Sequence, residues 1–73
     1  LANPNPLEQL RPLLEEQIKG LTAYLTSQEE WLDKNEDSME EADHESFVRQ
    51  MERAESVLEC LEEALEAIDD DEN

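Results

Sequence analysis

Between Phe47 and Ile68 the apolar residues fall at Phe47, Met51, Ala54, Leu58, Leu61, Leu65 and Ile68, in alternating steps of four and three over three heptads. That alternation keeps one stripe of an α-helix apolar. It does not fit a strand, whose faces repeat every second residue. Val48, Val57 and Ala64 broaden the stripe, and the surrounding sequence is rich in Glu, Leu, Ala, Met and Arg, all good helix formers. Two start signals compete. Ser38-Met39-Glu40-Glu41 matches a capping box, and Asp43 can cap with His44 and Glu45 in the first turn. The helix is expected over residues 39–68. The acids Asp69, Asp70, Asp71 and Glu72 oppose the helix macrodipole, so the helix is expected to stop near Ile68 and leave 69–73 as a disordered acidic tail.

An earlier helix opens at Asn5-Pro6-Leu7-Glu8, where Asn5 can cap, Pro6 suits the first helical position and Glu8 can reach back to the cap. Residues 1–5 are expected to be a disordered lead. Leu7, Leu10, Leu14, Ile18, Leu21, Leu25 and Leu32 recur mostly every three or four residues, with Gln28 filling one slot. Tyr24 and Trp31 widen the stripe on one side, and Leu13 stands off it. Pro12 suggests a short first turn over 6–11 followed by the main helix to about Asn35, or one continuous helix with a kink. Gly20 weakens this helix by roughly 1 kcal/mol relative to Ala, or serves a close approach by another helix.

Lys34-Asn35-Glu36-Asp37-Ser38 is polar and aperiodic. So short a connection makes the two helices, about 6–35 and 39–68, antiparallel neighbours. The fold class is all-α: an antiparallel two-helix hairpin. Two helices cover only one side of each other's stripe, and a chain of 73 residues has little core to offset its ordering entropy. The hairpin is therefore expected to form a homodimer, a four-helix bundle. The assembly seam is expected to use Leu14, Ile18, Leu21, Leu25, Trp31 and Leu32 against Phe47, Met51, Ala54, Leu58, Leu61, Leu65 and Ile68.

The chain carries 22 Asp+Glu against 5 Lys+Arg, a net charge of −17. Residues 1–35 hold three basic and six acidic residues, a net −3; residues 36–73 hold two and sixteen, a net −14. Such a charge argues against direct binding to nucleic acid or anionic membranes. No apolar run approaches the roughly 20 residues that span a bilayer. One Cys forms no intramolecular disulfide and suits a cytoplasmic or other reducing compartment. No signal or transit peptide pattern is present.

Few motifs carry chemistry. Glu41-Ala42-Asp43-His44 is a single Glu-x-x-His; two copies in a dimer would give the motif pair of a carboxylate/His metal-binding bundle. Asp33, Asn35 and Asp37 fall at the first three ligand positions of a calcium loop. Ser38 replaces its glycine, and His44 stands at the twelfth position, where a Glu is required. Cys60 sits among Glu59, Glu62 and Glu63, which disfavour thiolate, and is expected to be a small buried hydrophobe. No triad spacing and no phosphate loop occur. Trp31-Leu32 ahead of a Glu-rich heptad helix resembles a spectrin-type repeat; such repeats have three helices and a longer chain, and no role is carried over.

These patterns point to a non-catalytic interaction module or small adaptor without cofactor or bound metal. Its apolar stripes would assemble copies, and its acidic face of Glu52, Glu55, Glu59, Glu62, Glu63 and Glu66 would meet a basic protein partner. The alternatives are the carboxylate/His metal-binding bundle and an acidic inhibitor that mimics nucleic acid.

Overall fold

A computed structural model describes residues 5–70. It shows two 30-residue helices, α1 (Pro6–Asn35) and α2 (Glu41–Asp70), packed along each other and joined by a 3-10 turn at Glu36–Ser38. Residues 1–4 of the expected lead and 71–73 of the expected tail lie outside the described residues.

Helix α1 starts as its sequence dictates. Asn5 is extended, and its Oδ1 accepts a hydrogen bond from the Leu7 N–H at 2.9 Å, so one of the helix's orphan donors is satisfied. Pro6 occupies the first turn, where its missing N–H costs nothing. The helix then runs unbroken through Pro12, so the short separate first turn does not occur. Its other end closes through side chains. Asn35 Nδ2 donates to the Trp31 carbonyl at 2.8 Å, and Ser38 Oγ donates to the Asn35 carbonyl at 2.9 Å. Lys34 lies in this last turn, where a cation favours the helix dipole.

Helix α2 is shifted two residues from its expected span at both ends. Ser38, the first candidate cap, belongs to the 3-10 turn, and Asp43 lies inside the first helical turn. The first bond of the helix is instead accepted by the Glu40 carbonyl, from the His44 N–H at 2.9 Å. At the far end the helix continues through Asp69 and Asp70 rather than stopping at Ile68. Two contacts oppose the unfavourable dipole there. Ile68 is packed, and Arg11 Nη2 pairs with Asp69 Oδ1 at 3.0 Å.

The seam is thin. Leu14, Leu25 and Met51 are each 8% exposed and Ile68 6%; among the described residues no side chain is fully buried. Ile18, Leu21 and Leu32 on α1, and Phe47, Ala54, Leu58, Leu61 and Leu65 on α2, are half-buried around them. Two expected members leave the stripe. Leu7 and Leu10 are 38% and 41% exposed, and both line a shallow hollow with Ala64, Ala67 and Ile68 at the far end of α2. Half-buried Arg11 takes the slot between them and Leu14.

Two outcomes follow. Leu58→Asp places a carboxylate between the helices and should cost on the order of 3 kcal/mol, enough to abolish the helical circular dichroism and any assembly together. Pro12 lacks the N–H that would bond the Glu8 carbonyl, so Pro12→Ala should gain about 1–3 kcal/mol and raise the thermal midpoint at fixed protein concentration.

Candidate docking faces

The heptad phase of the packed helices sorts their remaining side chains onto two flanks of the hairpin. Seam positions on α1 run Arg11, Leu14, Ile18, Leu21, Leu25, Gln28 and Leu32, and those on α2 run His44, Phe47, Met51, Ala54, Leu58, Leu61, Leu65 and Ile68. In an antiparallel pair the residues that edge the seam on one side of α1 face the equivalent edge of α2. One flank therefore joins Leu10, Gln17, Tyr24 and Trp31 on α1 to Asp43, Gln50, Val57 and Ala64 on α2. Its outer rows are Leu13, Gly20, Ser27 and Lys34 with Ser46, Arg53, Cys60 and Ala67. The other flank joins Glu8, Glu15, Thr22 and Glu29 to Val48, Glu55, Glu62 and Asp69, with Pro12, Lys19, Thr26 and Asp33 outside them on α1 and Glu45, Glu52, Glu59 and Glu66 outside them on α2.

The contacts agree with this division. Trp31 lies on the first flank and stacks on Phe47, with ring centroids 5.1 Å apart and an interplanar angle of 23°. Tyr24 lines a shallow hollow with Leu21, Ala54 and Val57, and Leu10 lines another with Ala64, Ala67 and Ile68. On the second flank Glu52, Glu55, Glu59 and Glu62 surround a depression over Leu58.

The two flanks differ in chemistry. Asp43 is the one acidic residue of the two helices on the first flank, which otherwise carries apolar, small and neutral side chains with Lys34 and Arg53. Tyr24, Trp31 and Val57 remain 39%, 45% and 48% exposed there. Trp31, expected in the seam, thus straddles its edge, with one ring face on Phe47 and much of the rest in solvent. Cys60, expected to be buried, is exposed on the same flank.

Every residue of the expected acidic face is exposed, and on the second flank Glu52, Glu55, Glu59, Glu62 and Glu66 follow one another at three- and four-residue steps. Such neighbours repel one another along a helix. Glu63 points to the back of α2, between the flanks. Arg11 pairs with Asp69 at the end of this row, and Arg49 and Arg53 line a hollow with Ser46 and Gln50.

The turn does not form a calcium loop. Asp33 and Asn35 are helical, and the Asn35 amide is committed to the Trp31 carbonyl. His44 Nε2 lies 3.7 Å from Glu36 Oε1 across the turn. Among the described residues no group of three or more His, Cys, Asp or Glu side chains is placed to hold a metal ion. No described helix is long and apolar enough to cross a membrane. Compared with protein-family models, curated proteins and solved structures, the chain matches none.

Self-repulsion along the acidic row makes stability depend on salt. Raising the ionic strength from about 0.02 M to about 0.5 M shortens the Debye length from roughly 20 Å to roughly 4 Å. The thermal midpoint should rise over that range, and Glu59→Gln with Glu62→Gln should flatten the response. A midpoint that falls with salt would show that attractive pairs such as Arg11–Asp69 outweigh the repulsion.

Proposed function

We propose that this chain is a non-catalytic protein–protein interaction module, a small adaptor. It forms a homodimeric four-helix bundle through its leftover apolar surface and offers an acidic face to a basic protein partner. The observation that carries this reading is the segregation of charge. The carboxylates of α2 concentrate on one flank of the hairpin and its back, while the exposed aromatic and aliphatic residues gather on the other.

A solvated surface that served only to keep the chain dispersed has no need of such a division. An unbroken carboxylate row complements a basic surface; it speeds encounter and fixes register more than it adds affinity. The thin seam supports assembly. A two-helix core with no fully buried side chain among the described residues is at the lower limit of what stands alone, and a second apolar layer would convert exposed Tyr24, Trp31 and Val57 into core.

Capture experiments on the acidic face test the partner half of this reading. Glu59→Lys combined with Glu62→Lys should leave the helical circular dichroism unchanged and abolish retention of basic proteins held by the wild-type chain. Wild-type capture should itself fall steeply between about 0.05 M and about 0.3 M salt, as exposed charge pairs are screened. Retention by the charge-reversed chain, or retention indifferent to salt, would remove the acidic row as the contact.

A further inference from the structure

Gly20 has no role inside the hairpin. It is exposed on α1, its φ is not positive, and a Cβ built on it meets nothing within 4 Å. A helix interior disfavours glycine, so this position gives up helix propensity with no return from the chain's own packing. α2 lies on another side of α1 and does not approach it.

Gly20 also lies at the midpoint of α1, on the flank that is nearly free of acids. Leu10 and Trp31 stand about equally far on either side of it, both on the inner row of that flank. A two-fold axis placed at the midpoint sets Gly20 of one copy opposite Gly20 of another, and Leu10 of each opposite Trp31 of the other. The match is self-complementary, as a two-fold interface requires.

We infer that a second copy of this chain covers the Tyr24–Trp31–Val57 flank, head to tail, with the α1 helices crossing closely at Gly20. This rests on the dimeric reading above and specifies its geometry. Charge selects the flank. Two chains of −17 each can approach without stacking carboxylate on carboxylate only where the surface is nearly free of acid, and that surface is this one. Area agrees. Two 30-residue helices side by side offer a face roughly 45 Å by 18 Å. That is close to the roughly 800 Å² that each partner contributes to a standard stable interface. A second copy brings a flank of the same size and equally poor in acid, so it covers this one without setting carboxylate against carboxylate.

Sedimentation equilibrium of the full chain at about 0.15 M salt, with the emission of its one tryptophan, Trp31, followed over the same concentrations, tests the inference. The wild type should dimerise, with Trp31 emission shifting to the blue as it does. Gly20→Leu should raise helix content, since the added side chain meets open space in the hairpin, yet weaken the dimer at least tenfold. Val57→Glu, which puts a carboxylate on the flank, should weaken it similarly. Glu59→Lys, on the other flank, should leave it as stable or more so. In a Cys60→Ser background, Gly20→Cys should form a disulfide-linked dimer on oxidation and Glu59→Cys should not. A wild-type chain that stays monomeric at high concentration overturns both the dimer and its geometry. A dimer indifferent to Gly20→Leu and Val57→Glu, or one weakened by Glu59→Lys, overturns only the geometry and moves the interface elsewhere. A dimer that fails to crosslink through Gly20→Cys overturns the head-to-tail crossing.

Discussion

Two helices in contact along a single line bury very little, and the rest of this molecule follows from that constraint. The seam alternates well-packed residues such as Leu14, Leu25, Met51 and Ile68 with half-exposed ones, and its ends are held by polar groups: Arg11 at one end, Asn35 and His44 at the other. Hydrophobic stabilisation scales with the apolar area removed from water. A hairpin of this length therefore has only two ways to gain more: it can lengthen the seam, or it can cover a flank. α2 adds no apolar contact beyond Ile68, continuing only through two exposed aspartates whose carboxylates oppose the helix dipole. Arg11 offsets part of that cost by pairing with Asp69, an exposed contact worth well under about 1 kcal/mol.

Covering a flank is governed by charge. A net −17 spread evenly over a rod would leave no surface on which another macromolecule of the same sign could settle. Heptad geometry allows an uneven distribution, because residues on the two edges of a seam belong to different registers and vary independently. In α2 one register reads Gln50, Val57 and Ala64, and its counterpart reads Glu55, Glu62 and Asp69. The back of the helix is mixed: Arg49 and Ser56 with Glu63 and Asp70. Adjacent registers of one helix thus have opposite tendencies to associate.

Much of this was legible from the sequence. The helix start at Asn5-Pro6, the hairpin and the α2 seam rest on local patterns with strong physical causes, capping and an unbroken alternation of three and four. Tyr24 and Val57 widen the stripes by their spacing and Trp31 counts among the seam residues by its own, yet all three stay exposed at the edge of the packed helices. The phase of α1 was harder. Leu7, Leu10 and Leu14 satisfy helical spacing as well as Arg11 and Leu14 do, and only the position of α2 decides that Arg11 occupies the seam. The start of α2 was ambiguous because Ser38 can cap a helix or close the preceding turn, and its hydroxyl is spent on the Asn35 carbonyl. Cys60 is exposed rather than buried for a related reason: adjacency to Leu61 in sequence sets it to one side of the seam, on the outer row of a flank.

The division of flanks also bears on how one small chain would serve the two proposed contacts. In a bundle joined on the surface nearly free of acids, the carboxylate rows of the two copies are driven to opposite sides, because each row lies across the seam from the joined face. Neither row is covered by assembly, and neither faces the other at short range. The bundle would then be bivalent, with two equivalent acidic faces on a rigid spacer. A partner that itself carries paired basic surfaces would gain from effective concentration only where its spacing matches that spacer. The same geometry links the two contacts energetically. Repulsion within each row loosens its own hairpin, and a basic surface bound along the row would relieve that strain, so occupancy of the acidic faces should stabilise the helices that form the bundle.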